Sequence, residues 1–225
     1  MAVGSNYFFE IAKLRALRIL FGTLAREYGA LEYCHIIATP TLRNKTLYDY
    51  NTNMLRTATE CMSAILGGAD TILNMTYDSI YHKDNEFGER MARNQLLILK
   101  NESYFDKVDN AADGAYYIES ITHQLSSKAL DLFKQIEVGG GFLVQLKAHH
   151  IQKKIKESAS KEQDSFMKGD KILVGTNRYA SRSDKMKDSL ELYPFVKTHT
   201  RKTLIEPIIE KRLSEEWEQQ RLKTE

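Results

Sequence analysis

Apolar residues recur at helical spacing within residues 53–66, at Met54, Leu55, Ala58, Met62 and Ile65. The pair Gly67-Gly68 follows, where the end of a helix favours a residue with positive φ. A short apolar run then predicts a buried strand, with Ile72, Leu73 and Met75. The pattern therefore predicts a helix, a tight turn and a strand between residues 53 and 78.

A second helix is predicted over residues 88–103, and alternating helices and short apolar strands favour an α/β fold with parallel strands. Further along the chain the glycine run 139–141 stops a long amphipathic pattern. The other predicted elements are an apolar helix over 8–21, a buried strand over 31–39, a short strand at 107–108, helices over 115–138 and 142–168, a buried strand over 171–177, and a terminal helix over 203–225.

Composition excludes several classes of protein. The 225 residues are 42% hydrophobic, enough to bury a core, and 32 Lys and Arg against 30 Asp and Glu give a net charge of +2. So small a charge offers no field to recruit nucleic acid or an anionic membrane. No run reaches the roughly 18 apolar residues of a membrane span. Cys34 and Cys61 lie in apolar settings and are expected to be buried free thiols, which fits a reducing cytoplasm.

Four sequence blocks carry a family resemblance. They are NMLRTATECMSAILGGADT, ARNQLLILKNES, DNAADGAYYIESITHQLSSKALDLFKQIEVGGGF and GTNRY. In order and spacing, from about Gly4 to Tyr179, they resemble consecutive blocks of the adenosylcobalamin-dependent methylmalonyl-CoA mutase family. Within that family they are most similar to the small subunit of the bacterial heterodimeric enzyme, which does not itself bind cobalamin.

The resemblance implies a fold and a domain plan. Members of the family contain a parallel eight-stranded β/α barrel of the TIM type, and the helix over residues 8–21 would follow about the fifth strand. Residues 1–180 are then expected to form the later part of the barrel, a half-barrel with its following helices. Residues 181–225 are expected to form a polar linker and a charged C-terminal helix. A partial barrel leaves open strand edges and an uncovered apolar face.

The resemblance also implies where cofactor contacts would lie. In catalytic subunits, polar residues at the carboxyl ends of the strands contact the corrin, and by alignment those positions hold Ile37, Thr39, Leu73 and Ser79 here. The cobalt-binding motif Asp-x-His-x-x-Gly is missing around all six histidines, which are His35, His82, His123, His149, His150 and His199. We therefore expect no catalytic residue, no metal ligand and no cofactor-binding residue in this chain.

Four residues remain as weak candidates at the barrel mouth: Arg43, Arg56, Asn74 and Asp78. Arg43, with its neighbours Asn44 and Lys45, can meet an anion or simply shape a turn. Arg56 can contact a CoA phosphate, but an ion pair with Asp70 or Glu60 is the simpler expectation. Elsewhere, solvated-helix and capping roles are favoured over ligand binding for His149, His150, Asp106, Asp109 and Asp113.

The function implied by the resemblance is that of a non-catalytic subunit. It would pair with the catalytic large subunit, which isomerises (R)-methylmalonyl-CoA and succinyl-CoA in propionate metabolism and holds adenosylcobalamin. The acyl-CoA would then meet this chain only through the complex. Two alternatives stay open: a fragment of a catalytic acyl-CoA mutase whose other half held the active residues, and a gene remnant without activity. For the C-terminal helix, an interface role for Trp217 and packing within the chain are both open.

Overall fold

The computed structural model describes residues 1–197 and 202–225 and shows a mixed α/β fold, mostly helical with a short parallel sheet. The strands are β1 (Ala2–Val3), β2 (Ile37–Pro40) and β3 (Thr71–Ile72). The helices are α1 (Tyr7–Glu27), α2 (Thr52–Leu66), α3 (Glu86–Asn101), α4 (Tyr116–Val138), α5 (Phe142–Lys147), α6 (His150–Lys168) and α7 (Glu215–Thr224). The predicted helices in the first half of the chain are thus confirmed.

The three strands pair in sequence order, β1 with β2 and β2 with β3, all parallel. Successive side chains of a strand point to opposite faces, so the register separates two sets of residues. One face carries Val3, Ile36, Ala38 and Ile72 and packs against Leu14 of α1 and Ala64 of α2. The other face carries Ile37, Thr39 and Thr71, and Ile37 is 47% exposed.

The chain forms two compact units. The first comprises residues 1–41, 53–79 and 84–131, and therefore holds the sheet, α1, α3 and most of α2 and α4. The second comprises residues 42–52, 80–83 and 132–225. The predicted domain boundary at residue 180 lies inside the second unit. It concerns the complete family domain and stays a prediction.

Close packing explains the end of α2. A Cβ added at Gly67 would lie 3.0 Å from Leu14 Cδ1 and 3.2 Å from the carbonyl oxygen of Ile11. Gly68 has φ +79°, which a side chain disfavours. The two glycines of the predicted turn therefore have different roles. Gly67 allows α1 to pack closely against the end of α2, and Gly68 adopts the positive φ of the turn.

The second unit is built around a loop and the C-terminal residues. In the loop 42–52, the Leu47 amide donates to Glu218 Oε1 at 2.8 Å, and the Lys45 carbonyl accepts from Arg212 Nη1 at 3.0 Å. Arg212 and Glu218 form a buried ion pair with an N–O distance of 2.7 Å. Leu47 and Tyr48 pack with Tyr81, Met186 and Phe195 in one cluster, and Phe166, Leu173 and Leu213 form another.

Three of the predicted strands are wrong or too long. Residues 31–35 are not in a strand, and Leu31 is 79% exposed; only residues 37–40 find pairing partners in β1 and β3. Residues 171–177 form a turn, because Asn177 accepts from the Leu173 amide and donates to the Lys171 carbonyl. Such side-chain bonds compete with a strand ladder. The predicted strand at 107–108 is a turn as well.

Two predicted helices are also corrected. The helix over 142–168 is broken at His149, whose φ of +62° separates α5 from α6. Of the predicted helix over 203–225, only α7 forms, because residues 203–214 are not helical. Pro207 explains this in part, since proline lacks an amide hydrogen and disfavours helical geometry at the preceding residue.

Candidate functional site

Asn74 lies just beyond the carboxyl end of β3, where working residues of β/α proteins gather. Its side-chain amide donates to Gln95 Oε1 at 2.6 Å and to the Ala92 carbonyl at 2.9 Å. Its Oδ1 accepts from the Met75 amide at 2.9 Å. Both amide hydrogens are thus used within the first unit, and the side chain fixes the backbone after β3 against α3.

Gln95 of α3 connects this segment to α2. Its Nε2 donates to the Met54 carbonyl, and its Oε1 accepts from Thr57 Oγ1 at 3.2 Å as well as from Asn74. Thr57 is fully buried. The amide therefore satisfies polar groups of two neighbouring elements in a region that holds little water.

Asp78 is 3% exposed and accepts a hydrogen bond from Asn85 Nδ2 at 2.8 Å. Asn85 is the N-cap of α3, because its Oδ1 accepts from the Gly88 amide at 2.7 Å. A Cβ at Gly88 would lie 2.9 Å from Asp78 Oδ1, so only glycine fits without a shift. Asp78 thereby reinforces the cap of α3.

Arg56 of α2 donates to Asn53 Oδ1 at 2.7 Å, and Asn53 is fully buried and donates to the Tyr77 carbonyl at 2.9 Å. The predicted ion pair of Arg56 with Asp70 or Glu60 stays a prediction. Asp70 binds Arg18. Three of the four weak candidates, Arg56, Asn74 and Asp78, therefore lie in the first unit and belong to what we call the β3–α3 polar cluster: Asn53, Arg56, Thr57, Asn74, Asp78, Asn85 and Gln95.

Asp70 sits at the amino end of β3. It accepts from the Ile36 amide at 2.7 Å, from Arg18 Nη2 at 2.9 Å and from the Tyr33 hydroxyl at 2.9 Å. Burial alone would raise the pKa of this carboxyl, but the bonds from Ile36, Arg18 and Tyr33 outweigh it and lower the pKa to about 2. At this end of a β/α unit, such a group serves stability.

Arg43, the fourth weak candidate, belongs to the second unit. Its Nε donates to Glu162 Oε2 at 2.5 Å and its Nη1 donates to the Lys211 carbonyl at 2.6 Å. Burial would raise the pKa of Glu162, but hydrogen bonds from Lys171 and Arg43 lower it below its usual value. Lys45 is 2% exposed and donates to Asn44. These contacts favour the turn interpretation of this loop over an anion site.

Of the four positions aligned with corrin contacts, two lie on β2 and two follow β3. Ile37 and Thr39 lie on the strand face opposite α1 and α2, and Leu73 follows β3 with 56% of its surface exposed. Ser79 lies beyond the strand, beside Asp78. Two of the four are apolar and cannot donate or accept a hydrogen bond. Ile37 and Leu73 are exposed, whereas Thr39 and Ser79 are half-buried.

The remaining candidates show no ligand geometry. Asp106 lies 3.6 Å from Lys107 and Asp113 lies 3.3 Å from Arg15. His150 bonds Gln145 at 2.7 Å, and His149 forms the break between two helices. Within residues 1–197 and 202–225 no group of three or more His, Cys, Asp or Glu side chains could hold a metal ion. His199 lies outside the described residues.

Sequence reasoning missed four members of the β3–α3 polar cluster, namely Asn53, Thr57, Asn85 and Gln95. Gln95 had a signal, since it occupies the apolar side of a predicted helix, where a polar residue needs a partner. Asn85 precedes the helix by one residue, as an N-cap does. Asn53 carried no such signal, because its partner, the Tyr77 carbonyl, is 24 residues away along the chain.

Among the described residues, no helix has the length and apolar character needed to cross a membrane. The strands of the parallel sheet follow the order of the chain, and helices cover one face of it. Polar residues lie where β3 ends. This arrangement defines a protein of the β/α class. The family model for methylmalonyl-CoA mutase matches residues 1–224. The chain belongs to the methylmalonyl-CoA mutase family.

Individual relatives agree with this assignment. The chain is 38% identical, over 99% of its length, to the methylmalonyl-CoA mutase small subunit of Porphyromonas gingivalis, and covers 37% of that protein. It is 31% identical over 85% of its length to a methylmalonyl-CoA mutase of Rhizobium meliloti, and 29% identical over 85% to the large subunit of Porphyromonas gingivalis. It covers 27% of each of these two. The chain thus spans about a third of the length of these relatives.

Proposed function

We propose that this chain forms the later part of the β/α barrel of a non-catalytic small subunit of adenosylcobalamin-dependent methylmalonyl-CoA mutase. The subunit would pair with a catalytic large subunit and support its isomerisation of (R)-methylmalonyl-CoA and succinyl-CoA. The observation that carries the proposal is the one-sided sheet: its helices cover one face, and the other face presents Ile37 and Leu73 to solvent.

The requirements of parallel sheets support the barrel part of this proposal. Such sheets are buried on both faces, and in a β/α barrel the face away from the helices fills the barrel interior. Here the strand order follows the chain order, as it does around a barrel. The exposed face of Ile37, Thr39 and Leu73 would then be the interior, covered by strands that this chain does not supply.

The non-catalytic role rests on the state of the polar groups. Asn74, Gln95 and Asp78 form their hydrogen bonds with backbone groups and with neighbouring polar side chains, so they hold the loop in place. At the positions aligned with corrin contacts, Ile37 and Leu73 offer only apolar surface to a cofactor whose rim is polar. Because these side chains do not fit the corrin, no step of the reaction is assigned to this chain.

A pair of matched substitutions tests the barrel. Leu73 is 56% exposed and Leu55, on α2, is 70% exposed, so the chain by itself predicts similar small costs for an aspartate at either position. If the face of Leu73 fills a barrel, Leu73→Asp in the complete subunit buries a polar carboxyl group without a partner, which costs about 2–7 kcal/mol even when the carboxyl is protonated. Leu55→Asp should cost less than about 1 kcal/mol. Equal urea midpoints for the two variants would exclude the barrel interior.

The subunit role is tested by reconstitution with the large subunit of the same organism. We expect the complete small subunit to co-purify with it in equal amounts, and only the large subunit to change the absorption spectrum of added adenosylcobalamin. The occurrence of both subunits as relatives in Porphyromonas gingivalis supports this pairing. Saturable spectral change with the small subunit alone would instead indicate a catalytic mutase fragment. Failure to associate would indicate a chain without this function.

A further inference from the structure

A cavity of about 490 Å³ lies within the second unit. It is large enough for a small molecule, since ligand pockets run from about 300 to 1,000 Å³. One wall is α7, and the others are the turn at Gly175 and Thr176, the segment 180–182 and the ring of Tyr48. Apart from Trp217, none of the candidate residues predicted from the sequence lines it.

Two guanidinium groups give the cavity its charge. Arg221 is held in place because its Nη2 donates to the carbonyls of Ser181 and Asp184 at 2.6 and 2.5 Å, and it lies 3.8 Å from the centre of the Tyr48 ring. Arg182 is exposed, and the described part of the chain gives its side chain no hydrogen bond or ion pair.

The acidic residue on the wall does not cancel this charge. Glu218 is 1% exposed, and its Oε1 accepts from the Leu47 amide at 2.8 Å and from Ser214 at 2.7 Å. Its Oε2 pairs with Arg212 at 2.7 Å. The carboxylate of Glu218 is thus already compensated. Glu225, 3.9 Å from Arg221 Nε, offsets only that arginine, so the positive charge of Arg182 remains available to a ligand.

The cavity also has an aromatic and a polar wall. Trp217 packs edge-on against Phe166, with ring centroids 6.5 Å apart, yet stays 41% exposed. Thr176 is buried, and its Oγ1 has no hydrogen-bond partner among the described residues. Buried hydroxyls normally have one, so this group marks a place where a polar ligand atom can be accepted.

We propose that this cavity binds a planar aromatic anion: its ring stacks on Trp217, its anionic group pairs with Arg182 beside the fixed Arg221, and a polar ring substituent approaches Thr176. Ring stacking and guanidinium pairing are the two interactions that these side chains favour. The site is independent of the proposed mutase role.

The single tryptophan of the sequence makes the test direct, because all tryptophan fluorescence reports from Trp217. The full chain is titrated with three probes. Adenosine 5′-monophosphate combines a planar aromatic ring with an anionic group, adenosine has the same ring without the charge, and inorganic phosphate has the charge without the ring. We expect saturable quenching by the nucleotide and at least about tenfold weaker binding of adenosine, since a charge-assisted bond is worth roughly 1.5–3 kcal/mol. Phosphate alone should not quench.

Matched variants assign the signal to the cavity. Arg182→Gln should weaken nucleotide binding about tenfold, and Thr176→Val should weaken it about threefold to tenfold. Arg178→Gln, four residues before Arg182 and likewise exposed but outside the cavity wall, should leave it unchanged. Absence of saturable quenching, equal binding of adenosine and the nucleotide, or unchanged binding by Arg182→Gln would each overturn the proposal.

Discussion

Replacing Asp70 by asparagine removes one charge from the amino end of β3 while keeping the shape of the side chain. The amide oxygen of the substituted side chain can still accept from the Ile36 amide and from Arg18, and the Tyr33 hydroxyl can reverse and accept from the new amide group. The variant therefore keeps the number of hydrogen bonds but loses the negative charge. The salt bridge to Arg18 becomes a hydrogen bond from a charged donor to a neutral acceptor.

The size of the effect follows from that difference. A hydrogen bond to a charged group contributes about 1.5–3 kcal/mol and a neutral one about 0.5–1.5. The side chains of Arg18 and Asp70 are 34% and 21% exposed, so water screens part of the gain. We expect Asp70→Asn to lower the free energy of unfolding by about 1 kcal/mol at neutral pH.

The pH dependence gives the sharper test. The pKa of Asp70 is lowered from 3.8 to about 2, so the folded state binds its proton less well than the unfolded state. Its contribution is fully present above the unfolded value and is lost as pH falls from there through about 2. Urea denaturation followed by circular dichroism at about pH 7 and about pH 3 should therefore show the difference between parent and Asp70→Asn shrinking in acid.

Asp109→Asn is the matched control, because Asp109 is exposed and the described residues give its side chain no hydrogen bond. Its unfolding should follow the parent at both pH values. A difference between parent and Asp70→Asn that stays constant from neutral to acid would refute the argument that the charge of Asp70 is what stabilises this corner.

Three further predictions concern packing. Gln95→Leu removes the acceptor of one Asn74 amide hydrogen and one of the donors to the Met54 carbonyl, which keeps its bond from Thr57, and should lower the free energy of unfolding by about 1–3 kcal/mol, measured in urea. Gly67→Ala places a methyl group 3.0 Å from Leu14 and should cost about 1–3 kcal/mol in the same assay. Removing residues 215–225 deletes a buried ion-pair partner and should abolish the cooperative thermal transition of the second unit.

Each has its own check. Gln124→Leu, on the exposed side of α4, should be nearly neutral, and equal losses for the two glutamines would contradict the first prediction. Gly22→Ala, whose Cβ meets only a carbonyl at 3.6 Å, should stabilise α1 by about 0.5–1 kcal/mol. Stabilisation by Gly67→Ala would refute the packing argument. A cooperative thermal transition of the second unit that survives truncation would show that α7 is dispensable.

How far sequence reasoning reached depended on the range of the contacts. The helices were predictable because their apolar spacing and the glycines that stop them are local, as at Gly67 and Gly68. The strand over 171–177 was wrong because the side chain of Asn177 competes for the backbone, and apolar content alone does not reveal that. The helix over 203–225 failed where Pro207 interrupts an otherwise suitable apolar stripe.

How well the site residues could be predicted also depended on how far apart the contacting residues are along the chain. Asn74 and Asp78 were identified as candidates because they follow a predicted strand, which is a local signal. Their partners Gln95 and Asn85 were missed, since the pairing depends on how α3 packs. The role of Trp217 was open between an interface and internal packing, and α7 shows internal packing, with Glu218 buried in the second unit and Trp217 against Phe166.

The bonds between the loop 42–52 and the last helix have a consequence for synthesis. Leu47 and Glu218 are 171 residues apart, and Lys45 and Arg212 are 167 apart. During translation the first unit can assemble once residue 131 has left the ribosome, whereas Leu47 and Tyr48 stay uncovered until residues 212–218 have been made. At roughly 5–20 residues per second that interval lasts about ten seconds or more, long enough for a chaperone to engage the loop.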